Sequence, residues 1–170
     1  RLRTVTGVQT CALPIYVKSN LALLQYRFDA SAGAITPLDP LNANPPKGTG
    51  PRHLVYHPTL PMAYFTNEQG IGLSSYQRRP DGQLTLCQDI AILPEGMSKD
   101  GLSASDLEIT PDGKFIFAGL RGNSQDFDRI AWYRVRDDGQ AELLGLTPTR
   151  SEEHTSELQS PYVISYAVFC

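Results

Sequence analysis

The sequence predicts an all-β chain: a β-propeller fragment of about two to two and a half four-stranded blades. Three observations lead there. Short apolar or alternating runs, separated by clusters of Gly, Pro, Asn and Asp, fill residues 21–146. No stretch carries the 3.6-residue apolar period of a helix. The chain also repeats itself. His57-Pro58 falls on Thr110-Pro111, Tyr64 on Phe117 and Glu68 on Arg121, all at an offset of 53 residues. Tyr76 falls on Tyr133 and Asp81-Gly82 on Asp138-Gly139 at an offset of 57, the difference being absorbed in the polar loop 123–128. A period of 50 to 57 residues with four short strands per unit marks a propeller, one blade per repeat. A β-sandwich would carry no such period.

In order along the chain, residues 21–28 form an apolar and aromatic strand, 29–33 a turn cluster, and 34–38 a second strand. Tyr26 takes the place of Tyr76 in the repeat, and Gly33 lies near that of Gly82. Residues 40–49 are a proline- and asparagine-rich connection without periodicity. A glycine turn, G-T-G at 48–50, then leads through Pro51, Arg52 and His53 into a strand at 54–56. A proline-bounded reversal at 57–61 returns the chain as a strand at 62–66, which ends at Asn67 and Glu68. Because the start and end of an antiparallel pair lie side by side, this hairpin converges Arg52, His53 and Glu68 on one sheet edge.

A turn at 70–72 opens a strand at 73–78, and Pro80-Asp81-Gly82 reverses it into 83–87. Residues 89–101 read as a long irregular loop. The pattern then restarts with a strand at 106–109, the tight turn Thr110-Pro111-Asp112-Gly113, and an apolar strand at 115–120 ending at Arg121-Gly122. Strands at 130–135 and 142–146, joined by Asp137-Asp138-Gly139, complete the reading. The N-terminal strand pair is thus the end of one blade, followed by one complete blade and most of another.

Composition excludes several function classes. The 170 residues carry a net charge of −3 and a pI near 5.6, so no basic surface for nucleic acid is expected. No apolar run reaches membrane-spanning length, so no membrane partner is expected. The three cysteines, Cys11, Cys87 and Cys170, show neither metal-ligand spacing nor an even disulfide set, which favours a reduced, cytoplasmic setting. No His, Asp or Cys cluster has metal spacing, and no metal or other cofactor is implied. Cys87 reads as a small core residue.

The two ends read as foreign to the fold. Residues 150–160, R-S-E-E-H-T-S-E-L-Q-S, resemble the in-frame translation of a common sequencing-library adapter, and 164–170 look like its continuation. Residues 5–15 resemble the same adapter read from the opposite strand. On this reading 1–16 and 150–170 contribute no fold, and 17–149 is the partial propeller. Cys11, His154 and Cys170 then drop out as candidate functional groups.

The motifs G-T-G-P-R-H at 48–53, the following His57-Pro58 turn, Asn67-Glu68, and L-E-I-T-P-D-G-K-F-I-F-A at 107–118 with Arg121-Gly122 together resemble the lactonase family of seven-bladed propellers. The namesake activity of that family is 6-phosphogluconolactonase, and the carboxymuconate cyclases are relatives. The resemblance covers nearly all of 17–149 and implies a parent of about seven such blades. It matches the family's glycine turn with Gly48 and Gly50, its arginine and histidine with Arg52 and His53, its glutamate with Glu68, and its later arginine with Arg121. Leu120 stands where the family usually has asparagine. A further pocket histidine belongs to an earlier blade and is not in this chain, so a complete site is not expected here.

The resemblance implies a small-molecule lactone substrate, and the residue types suit that chemistry. Opening a lactone needs a base to activate water and a group to neutralise the carbonyl oxyanion. Glu68 suits the first task; set between arginines it is expected to stay ionised at neutral pH. Arg52 and Arg121 suit the second and also grip carboxylate or phosphate, with Asn67 as a further substrate contact. His53 is the candidate proton carrier, while a turn hydrogen bond is its plainer role. The repeat places Glu68 and Arg121 at equivalent points of consecutive blades, expected close together, either as a catalytic pair or as an inter-blade ion pair. His57, in a turn opposite Thr110, reads as structural. Lys47-Gly48-Thr49 lacks both the spaced glycine and the following helix of a phosphate loop. The function expected is hydrolysis of a sugar-derived lactone such as 6-phosphogluconolactone. The alternatives are a carboxymuconate-type lactonizing cyclase and a non-catalytic binding propeller. The isolated chain is expected to be inactive and poorly soluble, because strand edges and apolar faces remain uncovered.

Overall fold

The repeat becomes a stack of antiparallel sheets in the computed structural model of the chain, which describes residues 22–122 and 128–149. The segments 1–16 and 150–170 lie outside the described residues, as does most of the 123–128 loop. Among the described residues there are ten strands and no helix: β1 (Leu24–Asp29), β2 (Ala34–Asn42), β3 (Pro51–Tyr56), β4 (Met62–Asn67), β5 (Gly72–Arg78), β6 (Leu84–Ala91), β7 (Leu102–Ile109), β8 (Phe115–Gly122), β9 (Arg129–Val135) and β10 (Ala141–Pro148). No helix long and apolar enough to cross a membrane is present among these residues. β1 pairs with β2, while β3–β6 and β7–β10 form two four-stranded sheets in which each strand pairs with its sequence neighbour. All pairs are antiparallel. The fold is therefore all-β, a partial β-propeller. The last repeat, expected to be mostly present, forms a full four-stranded sheet.

The repeat holds at the level of single pairs. β3–β4 pairs Pro51 with Asn67 and Leu54 with Phe65; β7–β8 pairs Ala104 with Leu120 and Leu107 with Ala118, each 53 residues later. β5–β6 pairs Ser75 with Gln88 and Tyr76 with Leu86; β9–β10 pairs Trp132 with Gly145 and Tyr133 with Leu143, each 57 later. Both sheets therefore carry the same two bulges, one on the first strand and one on the last. The bulges overturn one expectation. Cys87 is exposed, not a core residue. It is the extra residue of the β6 bulge, between Leu86 and Gln88, so it has no partner on β5 and no place on the buried face.

Two apolar cores fill the spaces between sheets. One, with Leu23, Ala63, Phe65, Tyr76 and Leu84, lies between β1–β2 and β3–β6. The other, with Met62, Tyr64, Leu73, Ile116, Leu120 and Tyr133 among its members, lies between β3–β6 and β7–β10. Alternate β4 residues go to opposite faces, so Met62 and Tyr64 enter one core while Ala63 and Phe65 enter the other. With both faces covered, every β4 residue is buried. On β8 one face is covered, and burial alternates residue by residue. The rings of Phe65 and Tyr76 meet edge to face at 5.3 Å, a geometry that adds about 1 kcal/mol to their burial.

Strand ends differ from the sequence reading where apolar alternation is weak. β2 runs to Asn42 through Pro37 and Pro40; a two-stranded sheet leaves one side of each strand without a ladder, so the missing N–H groups cost no pairing there. β6 continues to Ala91, into the stretch read as loop. β7 begins at Leu102, ahead of the strand expected at 106–109, because Ser103, Ala104 and Ser105 are small and show no period, yet pair with β8 or sit in its bulge.

Candidate active site

Because each sheet is a meander, the start of its first strand and the end of its second lie at the same end of the blade. Arg52 and His53, in the bulge at the start of β3, therefore stand beside Glu68, the residue after β4. Gly50 adopts φ 62°, a left-handed conformation that glycine takes at little steric cost. That lets the turn fold back on the 68–70 segment: Glu68 N donates to Gly50 O at 2.8 Å, and Gly70 N donates to Thr49 O at 2.9 Å. The Glu68 carbonyl in turn accepts Ala104 N of β7 at 3.3 Å. The candidate base is thus fixed through its backbone from both sides while its side chain stays accessible.

Arg52 Nη1 lies 3.9 Å from Glu68 Oε1, with the side chains 23% and 25% exposed. The pair is sheltered yet open to a small molecule. Arg121 sits at the end of β8, paired with Ser103 of β7. The carboxylate of Glu68 is met by Arg52 of its own sheet. The 103–104 stretch of β7 lies between the two positions: Ala104 N donates to Glu68 O, and Ser103 pairs with Arg121. His53 makes an inter-blade contact. Its Nδ1 lies 3.4 Å from Asp106 Oδ1 on β7. Asp106 escaped the sequence reading, although the same offset of 53 places it at the position of His53.

Asn67 is turned away from this cluster. It is 1% exposed, and its Nδ2 donates to Ser74 Oγ at 2.7 Å and to Asp89 Oδ1 at 2.8 Å. Ser74 Oγ donates to the same carboxylate oxygen at 2.8 Å, closing a network across β4, β5 and β6. Asn67 borders a cleft of about 200 Å³ whose rim includes Lys47, Thr49 and Lys99. Lys99 Nζ donates to Gly70 O at 3.0 Å.

His57 lies at the opposite end of the blade and is bonded throughout. Its Nδ1 accepts Leu60 N at 2.8 Å and Thr59 N at 3.1 Å, which leaves Nε2–H to donate to Gly113 O of the next sheet at 3.1 Å. Burial lowers its pKa below the usual histidine value, offset in part by the Gly113 bond. It joins two blades, the structural role read for it from the sequence. On β7, burial first and the Asp106 charge second raise the carboxyl of Glu108 above the usual glutamate range. Among the described residues no three His, Cys, Asp or Glu side chains are grouped to hold a metal.

Comparison with known proteins agrees with the architecture. A family described as lactonase, 7-bladed beta-propeller matches residues 22–153. Among solved structures, a periplasmic gluconolactonase of Pseudomonas aeruginosa is similar with TM-score 0.65 and 25% identity, over 74% of this chain and 34% of that one. A putative 6-phosphogluconolactonase from Bacteroides fragilis gives 0.63 and 24% over 75% and 36%, and one from Bacteroides uniformis gives 0.65 and 23% over 77% and 36%. The chain spans about a third of the length of these structures. The periplasmic enzyme among them means that fold likeness does not carry the cytoplasmic expectation.

Proposed function

The chain belongs to the lactonase family, and from that premise we propose that it is part of a seven-bladed propeller that hydrolyses a sugar-derived lactone such as 6-phosphogluconolactone. In this reading residues 17–149 are the propeller portion, and the segments 1–16 and 150–170 are adapter-derived. Glu68 takes a proton from water as the water oxygen bonds to the lactone carbonyl carbon. Arg52, and Arg121 from the neighbouring blade, neutralise the oxyanion and the substrate's own anionic group. The ring C–O bond then breaks as the proton taken by Glu68 passes through His53 Nε2 to the leaving ring oxygen, giving the open hydroxy acid and restoring both side chains. Asn67 borders the adjoining cleft, which takes the sugar hydroxyls in this reading.

The observation that carries this reading is the Arg52–Glu68 pair, a carboxylate and a guanidinium 3.9 Å apart and a quarter exposed at the blade end. Its geometry suits a base placed next to a developing oxyanion. The test uses the full-length protein amplified from the source locus, with acid release followed on 6-phosphogluconolactone and gluconolactone. Carboxymuconate consumption is followed in parallel. Hydrolysis that falls about 10²–10⁴-fold in Glu68→Gln is the expected result. Turnover of carboxymuconate alone would point to the cyclase, and an unchanged rate in the variant would remove Glu68 from the chemistry.

A further inference from the structure

The first-strand bulges of the two complete sheets are tied to each other by a buried hydroxyl. Opposite the β3 bulge, Thr66 on β4 is fully buried; its Oγ1 accepts His53 N at 3.1 Å and donates to Ser105 O at 3.0 Å. Ser105 lies in the β7 bulge, directly before Asp106. The side chains of the two residues that follow, His53 in one blade and Asp106 in the next, are thereby brought to 3.4 Å. Asp106 Oδ1 also accepts its neighbour's amide, Leu107 N, at 2.9 Å, which fixes the carboxylate on its own strand. Opposite this bulge is Gly119, where a Cβ would stand 2.5 Å from Ser105 Oγ. The second bulge therefore closes because that position has no side chain.

A carboxylate facing Nδ1 of an imidazole favours the tautomer with the proton on Nδ1 and leaves Nε2 as the basic atom. We propose that Asp106 is a positioning residue for His53: from the next blade it sets the ring orientation and tautomer so that Nε2 exchanges the proton of lactone opening. This rests on the lactonase reading above. The other charged groups on the surrounding elements are Arg52 beside His53 on β3, Glu68 after β4, Glu108 on β7 and Arg121 on β8. Among the described residues, Asp106 is the acidic group at ion-pair distance from the ring. The 3.4 Å separation is long for a hydrogen bond, as is usual before substrate tightens a site.

The experiment compares the full-length protein with Asp106→Asn and Asp106→Glu. Asparagine keeps an acceptor for Leu107 N and removes the charge. The expected result is a fall of roughly 10–100-fold in kcat with KM nearly unchanged, an acidic limb of the pH–rate profile displaced to lower pH, and partial recovery in Asp106→Glu. Nitrogen-detected NMR of the neutral His53 ring supplies a readout independent of activity: Nδ1–H in the unaltered protein and a shift toward Nε2–H in Asp106→Asn. A wild-type ring protonated on Nε2, or a variant with unchanged tautomer and pH limb, overturns the proposal. If the protein opens no lactone, the functional reading fails, and the tautomer measurement still decides whether Asp106 orients His53. That measurement on the unaltered protein stands even if the variants fail to fold.

Discussion

Thr66 Oγ1 and the Ser105 carbonyl oxygen lie 3.0 Å apart across two blades, and the same hydroxyl accepts the amide of His53. One buried atom therefore holds two bulges in register, and with them the residues that project from both.

Thr66→Val keeps the shape and deletes the hydroxyl. It leaves the His53 N–H and the Ser105 carbonyl without that partner in a dry site, so a loss of about 1–3 kcal/mol in unfolding free energy is expected. Thr66→Ser retains the bonds and should lose less. Urea denaturation of the full-length protein checks the order. Equal losses in the two variants would mean that the methyl group, not the hydroxyl, matters.

Gly119 is needed for room alone, since a Cβ there would meet Ser105 Oγ at 2.5 Å. Gly119→Ala should cost about 1–3 kcal/mol through overpacking. Adding Ser105→Ala removes the obstructing oxygen and should recover much of that loss. A double-mutant cycle measures the coupling, and simple additivity would contradict the steric account.

Arg52→Lys keeps a positive charge opposite Glu68 and gives up the planar fork. We expect kcat/KM for the lactone to fall roughly 10–100-fold, while the unfolding midpoint barely moves because the pair is partly exposed. Steady-state kinetics with thermal melts test both halves. A large drop in stability with intact kinetics would make the pair structural.

His57 links stability to pH. Its folded-state pKa lies below the unfolded value of about 6.5, so the unfolded chain binds more protons in the window between the two. The stabilisation it lends is full above about pH 6.5 and is lost as pH falls toward the folded value. Urea midpoints should therefore decline on acidification from pH 7 to about 5, with a shallower decline in His57→Gln. The same slope in both proteins would remove His57 from the effect.

Much of this architecture was legible in the sequence because it is local and repeated. Turn residues, period-two alternation and offsets of 53 and 57 marked out one complete blade and most of another, and the registers of β3–β4 and β7–β8 follow the offset of 53 pair by pair. The same logic placed Arg52, His53 and Glu68 at one blade end, since a hairpin joins its own start and finish. It failed at Cys87, because a bulge shifts facing without changing composition. It also failed at the 103–105 stretch, whose small residues carry no apolar period.

Partner choice came only with the tertiary structure. The repeat aligned Glu68 with Arg121; the structure shows the Glu68 carboxylate beside Arg52 of its own sheet and Arg121 paired through its backbone with Ser103 of β7. His53 reaches Asp106 because first strands of adjacent blades lie against each other and Thr66 locks their bulges. Asn67, next to Glu68 in sequence, turns into the Ser74–Asp89 network. Sequence period sets where along a strand a residue stands; which side chain it meets depends on the packing of neighbouring sheets, and that is decided by the whole stack.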